Sequence, residues 1–184
     1  MTRFLPSVPG YVFAQNNNDL YVNLFMSNTA DVNLKATKVT LTQTTGYPWN
    51  GKVEIIIKPE KSSTFALNIR IPGWAAQSPV PGDLYTYMDQ AKSPFKLLLN
   101  GKPAVYKMVK GYAVVERQWK KGDQLILDLP MEVQKVIANT KVKDDVGRFA
   151  FQRGPIVYCL EGQDNKDGLV QNIMVDKDAK ATTV

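Results

Sequence analysis

The sequence contains no histidine and only one cysteine, Cys159. Without an imidazole side chain, a Ser-His-Asp or Cys-His catalytic site, a histidine-ligated metal and the usual proton shuttle of neutral pH are all excluded. A single thiol forms neither an internal disulfide bond nor a zinc site with several cysteine ligands. These absences exclude a thiolate–zinc reaction centre within this chain, and we predict no metal ligand in it; carboxylates remain as candidate catalytic groups.

Long hydrophobic runs are missing as well. No stretch approaches the ~18 apolar residues that a membrane-spanning helix needs. Pro6 and Pro9 interrupt the short apolar start, which does not have the pattern of a secretory signal. The net charge is +6, but the lysines are spread along the chain and form no basic helix. We therefore predict neither a membrane nor a nucleic acid as a partner, and the sequence leaves the cellular compartment open.

Apolar and polar residues alternate with a period of two, which is the pattern of half-buried β-strands. The alternation is present in residues 19–25, 38–42, 65–71 and 124–129. Residues 53–57 and 156–160 are more continuously apolar, which indicates strands covered on both faces. Strand-like segments recur about every ten residues, which favours a β-sandwich or barrel over βαβ units.

Turn residues separate these segments. Asn100-Gly101 predicts a two-residue hairpin, because both residues tolerate the positive φ angles of a type I′ turn. Lys121-Gly122-Asp123 predicts a second hairpin. Residues 72–94 form a long connection of the kind that is functional or lies in an interface. After residue 163 the pattern weakens, with one candidate strand at 169–175.

Exposed aromatic side chains are the candidate binding residues, because an aromatic ring packs well against the C–H face of a sugar. We assign this role to Trp49, Tyr85 and Tyr87, the last two within the long connection, where we expect them to be exposed. Trp74 and Trp119 are interpreted as plugs at the ends of a sandwich. The alternative for all of them is ordinary packing in the core or an interface.

Other polar groups give weaker indications. The carboxylates on or beside predicted strands are Glu54, Glu116, Asp128, Glu132 and Glu161. No motif draws two of them together, as glycoside cleavage would require, so we interpret them as solvated side chains. Cys159 lies in an apolar segment, where we expect it to be buried and inert. Arg153, in the turn before Gly154-Pro155, is assigned a structural role, holding a carboxylate or backbone carbonyl groups.

Several segments, in this order and spacing, together resemble one family. They are Thr2-Arg3-Phe4-Leu5 through Gly10-Tyr11-Val12, Asp19-Leu20-Tyr21-Val22-Asn23-Leu24-Phe25, Thr45-Gly46-Tyr47-Pro48-Trp49, Leu67-Asn68-Ile69-Arg70-Ile71-Pro72-Gly73-Trp74, Leu99-Asn100-Gly101-Lys102-Pro103, Trp119-Lys120-Lys121-Gly122-Asp123, Leu127-Asp128-Leu129-Pro130-Met131, and Gln152-Arg153-Gly154-Pro155 through Tyr158-Cys159-Leu160-Glu161. The sequence resembles the C-terminal part of glycoside hydrolase family 127, the β-L-arabinofuranosidase-like proteins.

The resemblance implies an enzyme with an N-terminal (α/α)6 catalytic barrel followed by β-sandwich domains. Its nucleophile is a zinc-bound cysteine of a Cys-Cys-x-x-Asn motif, and a glutamate is the acid/base. This chain matches the family after that motif, so no catalytic residue is carried onto it, and zinc is expected only in the intact parent enzyme. The implied partners are the catalytic barrel, a second copy in a homodimer and an arabinose-containing glycan.

We therefore predict an all-β fold of antiparallel β-sandwiches, with two packed units and a short non-β N-terminal remnant of the barrel. The predicted parts are 1–18 for the remnant, 19–58 plus 138–175 for the first sandwich, 59–137 for the inserted second sandwich and 176–184 for a frayed tail. The predicted function is non-catalytic, bracing the barrel of a hydrolase that acts on terminal β-L-arabinofuranosides. The alternatives are a carbohydrate-binding module that uses exposed aromatics, an assembly domain and an independent hydrolase.

Overall fold

The computed structural model describes residues 4–89 and 94–181, and strands dominate it. Parts of the predicted remnant (1–3), long connection (90–93) and tail (182–184) lie outside the described residues. The strands are β1 (Phe13–Asn16), β2 (Asp19–Val22), β3 (Asn28–Asn33), β4 (Lys38–Thr45), β5 (Lys52–Pro59), β6 (Ser63–Arg70), β7 (Tyr85–Tyr87), β8 (Lys96–Leu99), β9 (Lys102–Pro103), β10 (Lys107–Val109), β11 (Tyr112–Trp119), β12 (Asp123–Asp128), β13 (Val133–Ala138), β14 (Phe149–Arg153) and β15 (Ile156–Val157). The 3-10 helices are Leu5–Tyr11, Gly73–Ala76, Lys143–Asp145, Gly162–Asp164, Lys166–Gly168 and Val170–Asn172.

The strands form three sheets. Sheet A has the order β1-β2-β6-β11-β10, sheet B the order β3-β4-β5-β12-β8-β9 and sheet C the order β15-β14-β13-β7. Every pairing is antiparallel except that of β2 with β6, which is parallel. The predicted all-β, mainly antiparallel and sandwich-like fold is confirmed.

The core is built from side chains of sheets A and B. In β4 every second side chain is buried, as the period-two pattern predicts. The side chains of β5 alternate in the same way, so the expectation that 53–57 is covered on both faces is wrong. Leu20 and Leu67 of sheet A and Leu41, Ile55 and Leu125 of sheet B are fully buried in one cluster. Each such side chain contributes about 1.5–3 kcal/mol through burial. The cluster therefore fixes the positions of the loops at its ends.

Trp119 is completely buried in this core. Its indole Nε1–H donates a hydrogen bond of 2.9 Å to the carbonyl oxygen of Phe65, and its ring stacks on the Phe65 ring. The apolar ring of the tryptophan is therefore packed against another ring, and its polar N–H has a hydrogen-bond acceptor.

The two predicted hairpins differ in outcome. Asn100 and Gly101 have φ angles of 50° and 79° and connect β8 to its neighbour β9, so the first prediction is confirmed. The second is wrong, because β11 pairs in sheet A whereas β12 pairs in sheet B. The turn at Lys121-Gly122 carries the chain from one sheet to the other.

The C-terminal part also departs from the sequence predictions. The apolar segment 156–160 holds only the short edge strand β15, and Cys159 is exposed, so the expectation of a buried strand and a buried thiol is wrong. Residues 169–175 contain a 3-10 helix instead of a strand. In the predicted tail, the Lys177 carbonyl oxygen accepts a hydrogen bond from the Nζ of Lys135, a buried residue of sheet C.

Strands on both sides of residue 58 share sheets A and B, since β2 pairs with β6 and β5 with β12. The predicted division into a first sandwich and an inserted second one stays a prediction about independently folding units. Expression of residues 59–137 alone would test it.

Candidate functional site

Trp49 lies on the turn between β4 and β5, residues 46–51, here called the Trp49 turn. The Trp49 N–H donates a hydrogen bond of 2.9 Å to the carbonyl oxygen of Gly46. At the base of the turn, the Thr45 hydroxyl donates to the Lys52 carbonyl oxygen at 2.7 Å and accepts from the Tyr47 N–H at 3.0 Å. The turn is thus closed at several points, yet Trp49 remains 72% exposed.

Tyr47 anchors the turn to the body of the sandwich. Its ring stacks on Trp74 with 6.5 Å between ring centroids and meets Phe25 edge-on at 5.6 Å. Burial raises the pKa of the Tyr47 phenol, and a hydrogen bond with Trp74 offsets part of that effect. Trp74 is half-buried and packs against the core, which fits its predicted role as a plug.

A cleft of about 390 Å³ adjoins the turn. Its lining residues are Asn50, Gly51, Pro94, Lys96, Asp128, Leu129, Pro130, Met131, Glu132 and Arg153. Arg153 also donates a hydrogen bond of 3.0 Å from Nη1 to the carbonyl oxygen of Trp49, which ties sheet C to the turn. The predicted structural role of Arg153 as a holder of backbone carbonyl groups matches this contact.

The side chains around the cleft carry both signs of charge. Asp128 and Glu132 contribute two carboxylates, and Lys96 and Arg153 contribute two cations. Lys96 pairs directly with Asp128 across β8 and β12, so the sheet register brings these two residues to the same end of sheet B. Asp128 and Glu132 were predicted only as separate solvated carboxylates, because Lys96, which pairs with Asp128, lies 32 residues earlier and leaves no local signal beside it.

Tyr85 and Tyr87 lie on β7, on the same face of the strand, and both are half-buried instead of exposed. The Tyr85 hydroxyl donates a hydrogen bond of 3.2 Å to Asp145 Oδ2, and this contact raises the pKa of Tyr85. Burial raises the pKa of Tyr87 to about 12. The expectation that these two rings are the exposed pair is therefore wrong.

The three predicted sugar-binding residues do not come together. Arg153, which holds Trp49, pairs with Val133, whereas Tyr87 and Tyr85 pair with residues three and five positions further along β13. At the rise of a strand these offsets are roughly 10 and 17 Å, and β7 lies two strands away from β14. None of the three lines the cleft, and Trp49 is the one whose sequence neighbours, Asn50 and Gly51, do so.

The family resemblance implies a zinc ion in the intact enzyme, but the described residues of this chain do not fit one. Among the side chains that the structure describes, no three Cys, Asp or Glu side chains are grouped so that they could hold a metal ion. The exposed thiol of Cys159 therefore has no set of co-ligands in the described part of the chain. Within residues 4–89 and 94–181, no helix is both long and apolar enough to cross a membrane.

Comparison with known protein families assigns the chain to one of them. The model of the GH127 middle domain, described as beta-L-arabinofuranosidase, matches residues 19–131, and that of the family 127 C-terminal domain matches residues 133–184. The chain belongs to glycoside hydrolase family 127. The resemblance drawn from the sequence is thereby confirmed, and the family 127 match divides the chain near residue 132.

Individual proteins similar to this chain are members of the same family. A curated protein of Bifidobacterium longum subsp. longum, named non-reducing end beta-L-arabinofuranosidase, is 31% identical over 174 residues, which cover 92% of this chain and 24% of the relative. A solved GH127 beta-arabinofuranosidase has a TM-score of 0.84 at 44% identity, covering 90% of this chain and 26% of that one. A GH127 beta-L-arabinofuranosidase from Geobacillus stearothermophilus T6 has a TM-score of 0.76 at 33% identity, covering 89% and 23%. The chain thus spans about a quarter of the length of these family 127 relatives.

Proposed function

We propose that this chain is the non-catalytic β-sandwich portion of a glycoside hydrolase acting on terminal β-L-arabinofuranosides, and that it braces a separate catalytic domain. The observation that carries the proposal is the match to the middle and C-terminal domains of family 127 over about a quarter of the relatives' length. In the expected arrangement, an (α/α)6 barrel holds the zinc-bound cysteine nucleophile, and the sandwich supports it.

An apolar groove near the N-terminal 3-10 helix supports the bracing role. The groove measures about 350 Å³, and its lining includes Pro9, Val12, Phe13 and Met26. Tyr11 beside it is largely exposed. Exposed apolar surface of this kind marks a contact with another protein surface. We assign the catalytic domain of the same enzyme as the occupant, because most of the relatives' length lies outside the part that this chain matches.

A chimera tests this proposal. The matching quarter of the Bifidobacterium longum relative is replaced by this chain, and hydrolysis of an aryl β-L-arabinofuranoside and thermal stability are measured. We expect an active chimera, whereas the isolated chain should show no turnover above buffer. Met26→Lys, which places a charge in the groove, should lower the melting temperature of the chimera and leave that of the isolated chain nearly unchanged.

Val105→Lys is the matched control, since Val105 is almost fully exposed on the connection between β9 and β10 and does not line the groove. Turnover by the isolated chain, or equal effects of the two lysine variants in the chimera, would contradict the proposal. A concentration-dependent dimer of the isolated chain in light scattering, abolished by Met26→Lys, would assign the groove to self-association instead.

A further inference from the structure

Trp49 presents a large apolar ring to solvent from a well-anchored turn. The indole is 72% exposed, although Tyr47, two residues earlier, is anchored on Trp74 and Phe25. Among the described residues, its Nε1–H has no hydrogen-bond acceptor. An exposed aromatic side chain with a free polar tip, carried on an anchored turn, suits an amphipathic ligand, because little backbone entropy is lost when the ligand binds.

The adjoining cleft supplies the polar half of such a site. Asn50 and Gly51, which follow the tryptophan directly, line it, and Arg153 lines it while holding the Trp49 carbonyl oxygen. Trp49 is not itself a lining residue, but the turn places its exposed side chain next to two residues that are. The volume of about 390 Å³ falls within the range of about 300–1,000 Å³ that is typical of small-molecule sites.

The charges of the lining select the chemical class of ligand. The two carboxylates and two cations of the lining balance, so neither an anion such as phosphate nor a cation is favoured overall. The side chains of Asp128 and Lys96 form no hydrogen bond or ion pair with any described residue, so an acceptor and a donor remain available at this end of sheet B. A neutral compound with several hydroxyl groups uses both, and a carboxylate accepts hydrogen bonds from them strongly.

We propose that the Trp49 turn and the adjoining cleft form a binding site for a neutral sugar, an arabinofuranosyl unit of a glycan. The indole of Trp49 packs against the C–H face of the ring. Asp128 accepts hydrogen bonds from hydroxyl groups, while Lys96 and the Asn50 amide donate to ring or hydroxyl oxygens. Arg153 is a positioning residue that holds the turn against sheet C. The identity of the sugar rests on the proposed function, but the existence of the site does not.

Intrinsic fluorescence of the isolated chain reports on this site. Of the three tryptophans, Trp119 is buried and Trp74 is half-buried, so a ligand at this site changes mainly the emission of Trp49. Titration with methyl β-L-arabinofuranoside should give a saturable change at millimolar ligand. Trp49→Ala should abolish it. Asp128→Asn should weaken binding roughly tenfold, the factor that corresponds to losing one hydrogen bond of ~1.4 kcal/mol.

Isothermal titration calorimetry reads the same binding without tryptophan as the probe, so the effect of Trp49→Ala on affinity is measured directly. Glu116→Gln is the matched control, because this exposed carboxylate lies on sheet A and does not line the cleft; it should bind like the unmodified chain. An unresponsive titration, or equal weakening by Asp128→Asn and Glu116→Gln, overturns the proposal.

The result is separable from the bracing role. If sugar binding fails but Met26→Lys still destabilises the chimera, the sugar site alone is rejected. If the titration is silent and Trp49→Ala destabilises the chimera, the indole is a contact of the catalytic domain and the sugar proposal is overturned. If the sugar binds but the chimera is insensitive to Met26→Lys, only the bracing proposal is lost.

Discussion

The backbones of Gly51 and Leu129 lie in direct contact. The Leu129 N–H donates a hydrogen bond of 3.0 Å to the Gly51 carbonyl oxygen, and a Cβ atom on Gly51 would lie 2.1 Å from the Leu129 carbonyl oxygen. Only a residue without a side chain allows this approach. The contact joins the end of the Trp49 turn to the end of β12, and both residues line the cleft.

Gly51→Ala should therefore destabilise the fold by about 1–3 kcal/mol, the usual cost of forcing extra volume into a packed site. Chemical denaturation at neutral pH measures the free energy of unfolding. The matched control is Gly10→Ala, since a Cβ at Gly10 would meet no atom within 4 Å. If both variants unfold at the same denaturant concentration, the close contact between Gly51 and Leu129 does not determine stability, and the prediction is wrong.

Asp123 makes the fold sensitive to acid. Burial by itself raises the pKa of this carboxyl. Hydrogen bonds from Asn100 Nδ2 at 2.8 Å and the Lys120 N–H at 2.9 Å, together with the charge of Arg117, lower the pKa and outweigh the effect of burial, so the net pKa lies below the usual 3.8. A pKa that is lower in the folded state contributes stability above the unfolded value and loses it as the pH falls through the folded value.

We expect the free energy of unfolding to decline as the pH drops below about 4. Asp123→Asn should lower stability at pH 7 by about 1–3 kcal/mol, because a charged, buried acceptor is lost, and should flatten the decline. Urea denaturation at pH 7 and pH 3 measures both effects. Asp31→Asn is the control: Asp31 pairs with Lys38 on the surface, where solvent screens the charges, and its loss should change little. A wild-type-like pH profile for Asp123→Asn would contradict this prediction.

Tyr87 should limit stability at alkaline pH. Burial raises its pKa to about 12, above the usual 10.0. Because the folded state disfavours the phenolate, the contribution of Tyr87 is complete below pH 10 and is lost as the pH rises from about 10 to 12. Tyr87→Phe should reduce this loss in alkaline denaturation curves. Tyr11→Phe, which changes an exposed ring, should leave the denaturation curve unchanged. Identical curves for the two variants would show that Tyr87 is not the cause of the alkaline loss of stability.

Local patterns predicted the strands well. In 38–42 the alternation of apolar and polar side chains reflects a strand with one face on the core, and that relationship is local. In 65–71 the alternation located β6, but residues 65–69 are all buried, so the expectation of an outward polar face there is wrong. The positive φ angles at Asn100 and Gly101 are also encoded locally, so the hairpin was predictable. The Lys121-Gly122 turn was misread, because turn residues indicate that the chain reverses but not which sheet receives the next strand.

The candidate site was predictable only in part. Trp49 stood out as an aromatic residue between turn residues. The cleft beside it depends on the pairing of Lys96 with Asp128 and on the reach of Arg153 across more than a hundred residues to the Trp49 carbonyl oxygen. Such long-range pairings leave no periodic signal in the chain. Tyr85 and Tyr87 were misjudged because a three-residue strand inside a long connection is too short to show alternation.

The solvent-facing thiol at position 159 has a practical consequence. Because it is the sole sulfhydryl of the polypeptide, a maleimide dye would attach at one defined place without any mutagenesis. The same property makes air oxidation a route to covalently linked pairs of molecules, so solution studies call for a reducing buffer or a serine replacement.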